Sequence, residues 1–191
     1  MKLPSGGDRR SFFKQAFSGA FDHVARATEE RIVQRRYVRP PGALPEMAFL
    51  AACTRCGECA AACPPSVIKF AGPDGGLAAG TPYLEPDRAP CVACTDMPCA
   101  AICPTDALIV PLTGWTGLRL GHVAFHPDRC ITFQGQACAI CVQACPVGTK
   151  ALELDGDGRP VLKLEGCVAC GVCVRECPTM PSSFTFAPLE R

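Results

Sequence analysis

The sequence predicts an α+β chain of four similar units, joined in pairs into two small βαββαβ modules. Three observations carry that expectation. Sixteen of the 191 residues are cysteine, against one Trp and two Tyr, so much of the apolar fraction is small and the core is expected to be stapled by disulfides or built around metal. The cysteines fall in four groups of four that begin at 53, 91, 130 and 167, at steps of 38, 39 and 37 residues. A near-constant step of that length marks an internal repeat. Each group is followed by a short apolar run: SVIKF (66–70), DALIV (106–110), ALEL (151–154) and SFTF (183–186). Ahead of groups two, three and four stand PYLEPDRAP, GHVAFHPDR and PVLKLEG. Each unit therefore reads as strand, cysteine loop, one-turn helix and strand. The domain plan is an N-terminal helix and connector over 1–42, then a four-unit domain over 43–191.

The cysteine spacing points to a cofactor. The groups are Cys53, Cys56, Cys59, Cys63; Cys91, Cys94, Cys99, Cys103; Cys130, Cys138, Cys141, Cys145; and Cys167, Cys170, Cys173, Cys177. The first and last read C-x2-C-x2-C-x3-C-P, the second C-x2-C-x4-C-x3-C-P and the third C-x7-C-x2-C-x3-C-P. This is the run with which bacterial ferredoxins ligate [4Fe–4S] cubanes. A tight loop with a Cys at every third position turns three sulfurs inward around one cluster. The fourth Cys ligates the neighbouring cluster, and the proline after it fixes φ at the start of a helix, where no amide is needed. A disulfide framework gives no reason for four such runs, and zinc knuckles usually sit as two well-separated C-x2-C pairs. All sixteen cysteines are thus candidate iron ligands for four [4Fe–4S] clusters.

The remaining features yield no competing chemistry. Group two carries an insertion over 95–98 and group three one over 131–137. Asp155-Gly156-Asp157-Gly158 resembles a calcium loop, but its twelfth position is Gly166, so a hairpin turn is expected. The glycine-rich stretch 72–80 lacks G-x-G-x-x-G spacing and reads as a surface loop. Nineteen Lys and Arg against eighteen Asp and Glu exclude a nucleic-acid binder driven by bulk basicity. His23, His122 and His126 are the only histidines, and none stands in a catalytic motif. Trp115 is expected to shield a cluster from solvent. No catalytic residues and no small-molecule substrate are expected.

Residues 11–36 form a separate element. Phe13, Phe17, Phe21, Val24, Thr28 and Ile32 recur at three- and four-residue steps, predicting an amphipathic helix, and Arg39-Pro40-Pro41-Gly42 predicts an extended connector. The helix folds back on the core, docks on a partner protein, or lies at an anionic membrane surface. Three phenylalanines ringed by arginines favour docking on an acidic patch of a partner. Asp8-Arg9-Arg10-Ser11-Phe12-Phe13-Lys14 resembles a twin-arginine export motif. Asp22, His23, Arg26, Glu29, Glu30 and Arg31 interrupt the apolar stretch that export requires, so a cytoplasmic protein is expected, with periplasmic export as the alternative. No stretch approaches the ~18–20 apolar residues of a membrane span.

From about Arg39 onward the chain resembles the NapG/MauM kind of ferredoxin-type protein. The stretches that carry the resemblance are RPPGALPEMAFLAACTRCGECAAACP, LAAGTPYLEPDRAPCVACTDMPCAAICPTDAL and CITFQGQACAICVQACP. The resemblance implies electron transfer through four [4Fe–4S] clusters, beside a membrane quinol-oxidising iron–sulfur partner. The N-terminus, without a full export signal, is closer to the NapF kind, which is linked to maturation of a molybdenum enzyme. The leading function is therefore a relay of single electrons between a quinol-linked or low-potential donor and a redox enzyme such as a molybdenum oxidoreductase. A maturation or accessory factor for that enzyme is the alternative, and a purely structural use of the clusters is a third reading. Resemblance to the four-cluster electron subunits of molybdenum oxidoreductases implies that group one pairs with four and group two with three. The expected sets are then Cys53, Cys56, Cys59, Cys177; Cys167, Cys170, Cys173, Cys63; Cys91, Cys94, Cys99, Cys145; and Cys130, Cys138, Cys141, Cys103. Sequential pairing, one with two and three with four, is the rival.

Overall fold

A computed structural model of the chain describes residues 37–189. The amphipathic helix expected over 11–36 lies outside the described residues. The described residues belong to one compact unit that begins at Tyr37.

Residues 37–42, expected as a connector, are built into the domain instead. Val38 bridges Leu84, whose amide donates to the Val38 carbonyl at 2.7 Å. Arg39 is only 3% exposed. Its Nε and Nη2 donate to the two carboxylate oxygens of Glu46 at 3.0 and 2.6 Å, and its Nη1 donates to Thr81 Oγ1 and the Pro82 carbonyl, both at 2.8 Å. The guanidinium carbon lies 4.6 Å from the ring centre of Phe49 and 5.2 Å from that of Tyr37. A buried cation needs such partners, and here they come from three separate segments. Gly42 then passes so close to the chain ahead that a Cβ would lie 2.0 Å from the Ile109 carbonyl oxygen. These contacts move the start of the domain ahead of residue 43.

The first half continues with the helix Glu46–Ala52, which buries Phe49 completely. The short helices Glu58–Ala61 and Pro98–Ala101 follow the cysteine loops and pack together. Between them lies an antiparallel hairpin of β1 (Lys69–Phe70) and β2 (Pro82–Tyr83). The SVIKF run is strand only at its last two residues, because Pro64-Pro65 and the left-handed Ser66 (φ 53°) precede it. Where the outer strands of this half were expected, a single bridge joins Ala43 to Leu108.

The second half is more regular. β3 (Gly121–Phe125) precedes the helix Ile140–Ala144, and β4 (Leu152–Leu154) and β5 (Pro160–Leu162) form a hairpin. The helix Val172–Glu176 and β6 (Phe184–Pro188) complete it. β6 returns antiparallel to β3, with Gly121 opposite Pro188 and Phe125 opposite Phe184. Burial alternates along β3, with Val123 inside and His122 and Ala124 outside, as a one-sided strand requires. Val123, Leu152 and Phe184 form the centre of this core. The Asp155 carboxylate accepts the amides of Asp157 and Arg159 at 3.0 and 2.8 Å, so this segment is the hairpin turn expected of it.

These closures decide which units belong together. The Ala43–Leu108 bridge encloses groups one and two, and the β3–β6 ladder encloses groups three and four. The expected pairing of one with four and two with three is therefore incorrect, and the sequential rival is the one observed. The halves meet where the Leu120 amide donates to the Val168 carbonyl and the Cys91 amide to the Cys170 carbonyl, both at 3.0 Å. Val168, Cys170 and Val172 pack there against Cys91, Ala93 and Trp115. Among the described residues, no helix is long and apolar enough to cross a membrane.

Candidate metal centres

Each cysteine loop is shaped by a backbone that turns left-handed. Arg55, Ala93 and Ala169 stand one residue before the second cysteine of groups one, two and four, at φ 60°, 48° and 54°. A non-glycine residue there costs ~1–2 kcal/mol, so the loop must gain that back from what it encloses. Arg55 is further tied down, donating to the carbonyls of Cys53, Leu77 and Ala79 at 3.3, 3.1 and 2.9 Å. This anchors the 72–80 loop beside the first cysteine group.

The sulfurs gather into four sites, each with three cysteines from one group and the last from its partner. Site I is Cys53, Cys56, Cys59 and Cys103. Burial pushes the Cys59 thiol up to about 11, and the adjacent Cys53, Cys56 and Cys103 add to the rise. Site II is a cavity lined by Cys91, Cys94, Cys99 and Cys63. Site III is lined by Cys167, Cys170, Cys173 and Cys145. Site IV is lined by Cys130, Cys138, Cys141 and Cys177. Burial raises Cys91 and Cys141 to about 11 and Cys99 and Cys170 to about 12, with the facing sulfurs of each site contributing. The expected sets are thus corrected at the fourth member of each: Cys103 replaces Cys177, Cys63 replaces Cys145, Cys145 replaces Cys63 and Cys177 replaces Cys103. The short helices Glu58–Ala61 and Pro98–Ala101 explain the exchange, since each carries the third cysteine of its group and leads to the fourth beside the other helix.

The sites follow one another in space. Cys59 of site I adds to the rise of Cys99 in site II. Cys91 of site II bonds the backbone of Cys170 in site III. Cys141 of site IV adds to the rise of Cys173 in site III, which burial drives upward first. The order is I, II, III, IV. Cys56 is the exposed cysteine, so the line reaches the surface at site I.

This donor set fits a multi-iron cluster. All sixteen cysteines are free thiols, with no disulfide among them. Among the described residues, no three Cys, His or carboxylate groups converge tightly enough for a single metal ion. The sulfurs instead stand back around cavities, where four facing thiolates, at least one of them buried, require a cationic centre to be stable.

Several residues around the sulfurs were not legible as site residues. Thr132 Oγ1 lies 3.1 Å from Cys130 Sγ, and Thr179 Oγ1 lies 3.2 Å from Cys177 Sγ. The Ser183 amide donates to Cys177 Sγ at 3.4 Å. Burial opposes ionisation of Cys177, yet the hydrogen bonds from Thr179 and Ser183 bring its thiol down to about 7. The Cys-Pro-Thr runs at 103–105 and 177–179 were the available signal. Trp115 lines site II and donates its Nε1–H to the Cys94 carbonyl at 2.8 Å, consistent with the shielding expected of it. His122 is exposed on β3, and His126 Nε2 lies 2.9 Å from Thr185 Oγ1, while His23 is outside the described residues.

A family model for a 4Fe-4S dicluster domain matches residues 52–107, and a second 4Fe-4S dicluster model matches 122–178. Each falls on one structural half. The methylamine utilization ferredoxin-type protein MauM of Paracoccus denitrificans is 38% identical over 148 residues, which is 75% of this chain and 66% of that protein. The ferredoxin-type protein NapG of Escherichia coli is 40% identical over 138 residues, 72% of this chain and 57% of that protein. The chain belongs to the NapG/MauM family of ferredoxin-type proteins. Its two dicluster domains hold four [4Fe–4S] clusters, and the family is one of electron-transfer proteins rather than enzymes. The chain spans between about half and two thirds of the length of these NapG/MauM relatives.

Proposed function

We propose that the chain relays single electrons along sites I to IV, each site holding one cluster through the four cysteines assigned to it above. The modules that do so are of the βαββαβ kind, complete in the second half and reduced to a bridge at the edge of the first. The donor is a quinol-linked or low-potential protein, such as a membrane quinol-oxidising iron–sulfur protein, and the acceptor is a redox enzyme, with a molybdenum oxidoreductase the partner favoured. The clusters supply the one-electron chemistry when bound. The protein's own residues hold them and order them.

The observation that carries this reading is the contact between Cys91 and Cys170. A 3.0 Å backbone hydrogen bond there sets a ligand of site II beside a ligand of site III, across the boundary between the halves. Two independent dicluster domains would not need their inner sites in contact. Apolar side chains cover the junction: Trp115, Val168 and Val172 pack around both cysteines.

Two measurements on anaerobically purified full-length protein test the proposal. Sixteen ligands at four per cluster require about sixteen iron and sixteen sulfide per chain. The reduced protein should also pass electrons rapidly to an oxidised acceptor, emptying all four clusters in one connected process. A maturation factor would bind its client equally well with reduced or oxidised clusters and would exchange electrons slowly. That outcome, or a folded iron-free protein loaded with zinc, would overturn the relay.

A further inference from the structure

We infer that Thr132, Thr179 and Ser183 raise the reduction potential of site IV above that of its neighbour site III, so that an electron in this half rests at the end of the line. The inference depends on the proposed cysteine sets and adds a gradient to them.

The four sites differ in what surrounds their sulfurs. Among the described residues lining site II are Pro64, Pro65, Val92 and Trp115, and among those lining site III are Pro146, Val147, Val168 and Val172; neither cavity is lined by a hydroxyl side chain. Site IV is lined by three hydroxyl residues, Thr132, Thr179 and Ser183. Two of them reach sulfur, Thr132 at Cys130 and Thr179 at Cys177. The ligated sulfur carries no proton, so each hydroxyl must donate. Ser183 accommodates that direction at Thr179: it is fully buried, and its Oγ lies 3.0 Å from Thr179 Oγ1, close enough to donate to it. With the Ser183 hydroxyl donating to Thr179, the Thr179 proton is left to face Cys177. The Ser183 amide adds a further donor to the same sulfur.

Reduction adds negative charge that spreads onto the ligand sulfurs. Donors aimed at those sulfurs favour the reduced state, so hydrogen bonding to sulfur is one of the protein's controls over cluster potential. The difference originates one position after the Cys-Pro pair that the four groups share. The remote ligand of site IV is followed by Pro178-Thr179, whereas those of sites II and III are followed by Pro64-Pro65 and Pro146-Val147. Site I is intermediate, since Thr105 Oγ1 lies 3.9 Å from Cys103 Sγ.

The test is an EPR-monitored redox titration of the full chain and of its T132V, T179V and T132V/T179V variants. In the double variant, one of the four potentials should fall by at least tenfold in its reduction equilibrium, about 59 mV for one electron. The component that moves should be the one missing from a C138A variant, and T179S should restore most of its position. Iron must stay near about sixteen per chain. If the parent itself falls short of that figure, the cluster assignment fails rather than the gradient. Four intact clusters with unmoved potentials, or a site IV below site III in the parent, would overturn the gradient. Should valine cost site IV its iron, the reduced parent still decides. Electron–nuclear double resonance should show strongly coupled exchangeable protons on the site IV signal, and their absence would refute the hydroxyl donors.

Discussion

Replacing Gly171 with valine is expected to part the two halves of the protein. Gly171 has φ +89° and stands beside the junction, where a Cβ would fall 2.0 Å from the Pro86 carbonyl oxygen and 2.5 Å from its carbon. The obstacle is backbone, which cannot rotate out of the way. A left-handed β-branched residue and an overpacked contact together cost about 3 kcal/mol or more. The Cys91–Cys170 hydrogen bond lies next to this point and should be lost with the contact. Magnetic coupling between sites II and III in the fully reduced protein should then vanish, and proteases should cut the segment over 111–120. A G156V variant is the control, since nothing lies within 4 Å of a Cβ at that turn. A G171V protein with parental stability and coupling would show that the halves are not held as described.

The second large effect is expected from C63A. Cys63 follows the loop of group one, yet it lines site II with Cys91, Cys94 and Cys99. Its loss should remove the cluster of site II and lower iron from about sixteen to about twelve per chain. Metal binding also carries folding free energy, so the first half should unfold more readily than the second. Site II stands between site I and the other two, so electrons delivered at the exposed Cys56 end should no longer reach site IV. Rapid-mixing spectroscopy should then show site I reduced while sites III and IV stay oxidised. Reduction of all remaining clusters at the parental rate would contradict the linear order.

Much of this was legible in the sequence because the signals were local. Four cysteine runs at near-constant steps revealed the units, and Asp155-Gly156-Asp157-Gly158 revealed the hairpin through its side-chain-capped turn. The alternation of GHVAF produced a true strand. Pairing of the units was not legible from cysteine spacing, because that spacing shapes a loop and says nothing of which other loop it meets. The similar runs of groups one and four invited the wrong match. A better signal was the Thr- and Gly-bearing stretch PLTGWTGLRL between groups two and three, where one half ends and β3 begins. The place of residues 37–42 was hidden for a different reason. Arg39-Pro40-Pro41-Gly42 looks like a linker by composition, but burial of Arg39 depends on Glu46, Thr81 and Pro82, which only the fold brings together. The hydroxyls of site IV were masked likewise, since Thr132 and Thr179 lie far apart in the chain and meet only across a cavity.

The most direct test of the central claim, that the line is built from sequentially paired groups, is an iron count on two double variants. Cys63 and Cys91 belong to one site here, so C63A/C91A should lose a single cluster and retain about twelve iron per chain. Cys63 and Cys167 belong to different sites, so C63A/C167A should lose two clusters and retain about eight. The reverse result, about eight for C63A/C91A and about twelve for C63A/C167A, would mean that group one pairs with group four, and the order of sites I to IV would fall with it.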